Sequence, residues 1–240
     1  MAEHNMNIMA IAAHPDDIEI NCAGTLLRYA KMGYNITLVP FTSGNMGHQT
    51  KLPEELAEVR KQEAQASAAV LGATLLWPAV TDECVFPDNQ QRSLMIDLMR
   101  QVDPDIIITH SPTDYHPDHR YVSQLVFDSY FQKGLPFLPE QREAACRFAT
   151  THVYFMDNLG GIDFIPTEYV DIADVFEQKK QMLSCHISQA RSVNNPSNPP
   201  LLELIEIQGR FRGLAAGCRY AEGFRRMEGY QRGLTRRILP

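Results

Sequence analysis

The chain has 240 residues, 22 of them basic and 29 acidic, for a net charge of −7. That balance argues against a nucleic-acid binder. The basic positions Arg225, Arg226, Arg232, Arg236 and Arg237 gather only at the end, where they read as a solvated helix end or subunit contact. The hydrophobic fraction of 44% is enough for a real core, yet no stretch approaches the ~18 continuous apolar residues of a membrane span.

The pattern from the first residues onward alternates strand and helix. The start lacks the basic and apolar regions of a secretion signal. An apolar strand over 7–12 runs into Ala13-His14-Pro15-Asp16-Asp17-Ile18-Glu19, followed by a helix over 21–32 that Gly33 ends. A strand over 36–41 leads to the small-residue turn at 42–47. A helix then opens at Pro53 and closes at Gly72, with Leu56, Val59, Ala66 and Val70 at helical spacing. Next come a strand over 74–77, a helix over 93–102 that Asp103-Pro104 stops, and a strand over 105–109. A later strand at 152–156 extends the sheet. Helices are expected over 175–185 and 201–224, with the turn-rich stretch 192–200 between them.

Repeated strand–helix–strand alternation predicts an α/β fold. The expectation is a Rossmann-like, mostly parallel sheet with helices on both faces, in a single domain of 1–240 with long loops. The core would occupy about 6–185, and a C-terminal loop and helix about 186–240. Cys22, Cys84, Cys146, Cys185 and Cys218 are scattered and form no C-x-x-C pair, which points to a reducing cytoplasm and away from a disulfide framework.

Two short motifs carry the chemistry. His14-Pro15-Asp16-Asp17 and His116-Pro117-Asp118-His119 each sit just past the carboxyl end of a buried strand, the edge at which open α/β sheets place their ligands. A dinucleotide-binding fold would carry glycines at the first turn. Two adjacent carboxylates stand there instead, and they repel a pyrophosphate and attract a cation. His14 and Asp17 form a short-spaced ligand pair with His119 as a distant third, leaving a zinc position open for water. The same two-histidine, one-carboxylate set also suits iron or another divalent ion. His110 reads as a hydrogen-bonded core residue, Glu19 as an anchor of the first loop, and Cys22 as a buried small hydrophobe.

With Thr42-Ser43-Gly44, Arg60-Lys61-Gln62-Glu63-Ala64, Thr109-His110-Ser111-Pro112 and Tyr220-Ala221-Glu222-Gly223-Phe224, these motifs resemble the LmbE-like, or PIG-L-type, family of zinc-dependent N-deacetylases. The resemblance runs from residue 7 to about 225. It implies zinc ligation, one ion per chain, by His14, Asp17 and His119. It also implies that Asp16 is the general base, that His116 polarises the amide carbonyl or protonates departing groups, and that Asp118 orients His116. Arg60 would hold the oxyanion or acetyl oxygen. Asn45, Asp114 and Tyr115 are candidate substrate contacts, although family members often carry an acidic residue near position 45.

The expected activity is removal of the acetyl group from an N-acetylglucosamine-type amino sugar or conjugate, by a cytoplasmic homo-oligomer without nucleic-acid or membrane partners. Two alternatives stay open: an amidase acting on a non-sugar amide or thiol conjugate, and a non-catalytic metabolite-binding module. The stretch 194–200 is a candidate lid or interface arm.

Overall fold

The first strand, β1 (Asn7–Ala12), is apolar on both sides because helices cover both faces of the sheet it nucleates. The computed structural model describes residues 5–138, 143–146, 151–189 and 199–228. Arg232, Arg236, Arg237 and most of the 194–200 stretch lie outside them. Seven strands form one sheet in the order β3-β2-β1-β4-β5-β7-β6. β2 (Asn35–Pro40), β3 (Thr74–Leu75), β4 (Ile106–Thr109) and β5 (His152–Met156) are parallel with β1. β7 (Ala221–Arg226) pairs antiparallel with both β5 and β6 (Glu168–Asp171).

Alternate residues of β1 enter different cores. Ile8 and Ala10 pack with residues of α1 (Asp17–Asn21), α2 (Ala23–Lys31), α3 (Pro53–Leu71) and α6 (Phe176–Ser184). Met9 and Ile11 pack on the opposite face with α4 (Asn89–Val102) and α5 (Pro117–Ser129). Among the described residues the architecture is a single α/β domain of three layers.

The chain leaves β1 toward β2 on one side, while β4 lies on the other. The carboxyl ends of β1 and β4 therefore flank the topological switch point, where open α/β sheets form a crevice. Both histidine motifs occupy that crevice.

Four boundaries differ from the sequence expectation by two residues or more, and one of them is the strand expected over 74–77, which ends at Leu75. The helix expected over 21–32 starts at Asp17 and breaks at Cys22, whose φ of −145° separates α1 from α2. The helix expected from residue 93 starts at Asn89, where the Asp88 side chain accepts the Gln91 N–H at 2.9 Å. The helix expected over 201–224 ends early: α7 spans Leu201–Ala216, Gly217 takes a left-handed cap at φ 75°, and the rest becomes β7.

Candidate metal centre

The loop after β1 is held in an unusual shape. Asp16 has φ 126°, a conformation that side chains other than glycine rarely adopt, and such strain concentrates at functional sites. Arg60, reaching from α3, holds it there. Its Nη2 donates to the Pro15 carbonyl and to Asp16 Oδ1 (3.1 Å), and its Nη1 donates to the Gly44 carbonyl (3.2 Å). The Asp17 carboxylate turns back to accept the His14 N–H at 2.7 Å.

His14 Nδ1, Asp17 Oδ2 and His119 Nε2 converge. Their separations are 3.2 Å (His14 to Asp17), 3.3 Å (His119 to Asp17) and 3.2 Å (His14 to His119). Metal–ligand bonds of ~2.0–2.1 Å at a tetrahedral angle put donor atoms about 3.3–3.4 Å apart, so this triangle fits a zinc ion capping its face. The outer nitrogens also face carboxylates, as metal-binding imidazoles usually do. His14 Nε2 lies 3.3 Å from Asp82 Oδ1 and 3.4 Å from Asp118 Oδ2, while His119 Nδ1 lies 3.1 Å from Asp114 Oδ1. His110 Nδ1 and Asp114 Oδ2 are buried without a hydrogen-bond partner behind this triangle.

The electrostatics follow from that crowding. Burial lowers His14 and His119, but Asp17 together with Asp118 and Asp82 (His14) or Asp114 (His119) outweighs it, so His14 rises well above the ordinary range and His119 to about 9. Burial raises Asp17, yet His119 and His14 hold it well below the usual carboxylate value. Asp16 is pushed up to about 6 by burial, with Arg60 opposing and Asp17 adding to the rise. His116 is lowered by burial and by the neighbouring His14 and His119.

Several sequence-derived expectations look different in three dimensions. The Asp118 carboxylate faces His14 and the Glu83 N–H (2.8 Å), whereas the carboxylate facing His116 is Glu83, with Oε1 3.4 Å from Nε2. The Arg60 guanidinium is engaged by the Asp16 loop, which leaves its buried Nε as the unpartnered atom. Asp114 is buried behind His119 and accepts the His116 N–H at 2.9 Å, so it does not line the mouth. Asn45 caps the neighbouring loop by accepting the Asp82 N–H at 3.0 Å. Tyr115 is half exposed, with its ring 6.0 Å from His119 and 6.3 Å from His116.

His110 is buried and stacked on His119 at 3.9 Å, and its Nε2 accepts the Ala13 N–H at 2.9 Å. Glu19 anchors the loop from behind, through Ser67 Oγ (2.5 Å) and His186 Nε2 (3.2 Å). Sequence reasoning missed Asp82 and Glu83. Their signal was an acidic pair in the loop after the short third strand, at the same sheet edge as the two motifs.

The chain is similar to several known proteins. A 4-oxalmesaconate hydratase of Pseudomonas putida is 22% identical over 202 residues, covering 78% of each chain. The crystal structure of the 4-carboxy-2-hydroxymuconate hydratase of that organism superposes with a TM-score of 0.80 at 20% identity, covering 97% of this chain and all of that one. The N,N'-diacetylchitobiose deacetylase of Pyrococcus horikoshii superposes with a TM-score of 0.78 at 26% identity, over 95% of this chain and 86% of that one. A probable N-acetyl-alpha-D-glucosaminyl L-malate deacetylase 2 of Bacillus anthracis is 26% identical over 163 residues, covering 62% of this chain and 70% of that one. Residues 9–130 match the model of the GlcNAc-PI de-N-acetylases, and the chain belongs to that family, PIG-L.

Proposed function

We propose that the chain is a zinc-dependent N-deacetylase acting on an N-acetylglucosamine-type amino sugar or conjugate. The observation that carries this reading is the triangle of His14 Nδ1, Asp17 Oδ2 and His119 Nε2 with the buried Asp16 carboxylate beside it. His14, Asp17 and His119 would hold one ion per chain. When bound, zinc supplies a Lewis acid that polarises the amide and lowers the pKa of water to about 7.

The remaining roles belong to side chains. Asp16, raised to about 6, is a base matched to neutral pH and accepts the proton of the attacking water. Arg60 keeps one of its oxygens, Oδ1, engaged and so fixes the direction of the carboxylate. His116 caps the first turn of α5, its Nδ1 accepting the Asp118 N–H at 3.2 Å, so the neutral ring carries its proton on Nε2. A neutral imidazole of this kind donates a hydrogen bond to the amide oxygen as charge develops there, and it keeps its proton. The amine departs with the proton that Asp16 took, as the carbon–nitrogen bond breaks. Asp118 and Asp82 orient His14 through its outer nitrogen.

The family assignment, the chitobiose deacetylase neighbour and the malate-conjugate deacetylase relative support an acetylated amino sugar as substrate. Five free cysteines support a reducing, cytoplasmic setting, and the exposed Ile207, Phe211 and Leu214 on α7 support a homo-oligomer. No helix among the described residues is long and apolar enough to cross a membrane.

A second reading rests on the hydratase relative, which matches 78% of both chains: the same ligands would activate water for addition to an unsaturated carboxylic acid. One assay separates the two. Zinc-loaded protein is given N-acetylglucosamine, several of its conjugates and an unsaturated dicarboxylic acid, with Asp16→Ala as the control. Release of free amine by the wild type alone supports the deacetylase. Loss of the unsaturated-acid absorbance without amine release sinks it in favour of the hydratase.

A further inference from the structure

Glu83 stands where its backbone resists it. The Cys84 N–H closes a turn onto the Thr81 carbonyl at 3.1 Å, and Glu83 is the third residue of that turn with φ 59°. A turn with positive φ at this position normally takes glycine or asparagine, and a glutamate there is strained.

Two contacts come from that conformation. The Glu83 N–H is aimed at Asp118 Oδ2 (2.8 Å), the oxygen that also lies 3.4 Å from His14 Nε2. The Glu83 carboxylate reaches across the mouth to 3.4 Å from His116 Nε2. A glycine would provide the first contact without the strain, so only the second needs this side chain. His116 Nδ1 is already taken by the Asp118 N–H, which leaves Nε2 as the nitrogen that can turn toward a reacting amide.

We infer that Glu83 is a positioning residue, its carboxylate standing beside Nε2 of His116 and holding the ring in the orientation from which the Nε2–H donates a hydrogen bond to the amide oxygen. The contact is loose, and the Glu83 side chain is 58% exposed, so an entering carbonyl replaces the carboxylate and Glu83 turns into solvent. No proton is transferred in the exchange; one acceptor gives way to another. The inference rests on the role given to His116 above.

The test uses zinc-loaded full-length protein and the variants Glu83→Ala, Glu83→Gln and Glu83→Gly. Partners of this outer kind are worth ~10–100-fold. Glu83→Ala is therefore expected to lower kcat about tenfold while KM stays within about twofold. Glu83→Gln, whose amide oxygen still accepts from Nε2–H, recovers most of the loss. Glu83→Gly loses activity like the alanine variant yet melts higher, because the turn is relieved, and a merely structural role would not separate the two readouts.

Nitrogen-15 spectra of histidine-labelled protein, assigned with His116→Gln, give a second readout independent of turnover. The His116 Nε2–H signal should persist in wild type and Glu83→Gln and be lost to water exchange in Glu83→Ala. Equal kcat in wild type and Glu83→Ala, or an unchanged Nε2–H signal, overturns the inference. If wild type hydrolyses no amide, the proposed activity fails while the nitrogen-15 result still decides the role of Glu83.

Discussion

Two buried networks of charge lie on either side of α1, and they are built on opposite principles. Behind the helix, Glu222 of β7 is saturated. Its Oε1 accepts from Gly24 N (2.9 Å) and Lys179 Nζ (2.6 Å), and its Oε2 accepts from the Thr25 N–H and hydroxyl, both at 2.7 Å. Lys179 completes its own set on the Ile20 carbonyl at 2.8 Å. The carboxylate sits on the start of α2, where the helix dipole also favours it. In front of α1, His14, Asp17, Asp82, Asp114, Asp118 and His119 crowd together, with strained backbone beside them and buried polar atoms left without partners. The first network is closed and serves stability. The second gathers four carboxylates and two histidines, among them the set proposed above to hold a cation.

That contrast can be broken by three measurements. The largest effect is expected from Asp17→Asn, which should abolish stoichiometric zinc binding and reduce activity by more than the ~10–100-fold typical of outer-shell changes. Zinc retention at one per chain would remove Asp17 from the ligand set.

Glu222→Gln should behave in reverse. It leaves Lys179 buried without a charge partner, a loss of about 3–5 kcal/mol, and at ~2–4 °C per kcal/mol for a domain of this size the melting temperature falls visibly. Zinc should still bind at one per chain. An unchanged melting temperature would show that the closed network is not what holds α2 and β7 together.

The smallest effect sharpens the open side. Without metal, His119 is raised to about 9 and is protonated at pH 7. Zinc needs its lone pair, and calorimetry in buffers of different ionisation enthalpy should report proton release on binding at pH 7. The stability sign follows from the same direction. A raised histidine stabilises the metal-free fold fully below about pH 6.5 and loses that contribution as pH rises through about 9, while zinc affinity rises over the same interval. Zinc binding without proton release would contradict the clustering of charge at His119.

The open network was the more legible of the two in the sequence. His14, Asp17 and His119 stood out because short polar motifs directly followed apolar strands, and strand ends are where a parallel sheet displays its loops. The resemblance implied that Asp118 orients His116, and the helical start at Pro117 also brings its carboxylate to within 3.4 Å of His14 Nε2. Glu83 escaped notice because its role depends on a turn conformation that glutamate rarely takes.

Of the closed network, the segment around Glu222 stood out as a motif, but its strand did not. Ala221 to Arg226 carries a glutamate, a glycine and two arginines, a composition that does not read as a strand, and the preceding helix seemed to continue through it. Gly217 was the available stop signal. β6 was missed for a related reason, since a four-residue edge strand between loops leaves too short an alternation to register.

Glu222 lies 198 positions beyond Gly24. On a ribosome adding ~5–20 residues per second, tens of seconds at the slow end separate the appearance of the first histidine motif from the arrival of the strand that clamps the helix behind it. During that interval the emerging chain carries the first histidine motif with the rear support of α2 absent, and a chain cut short before β7 would lack that clamp altogether.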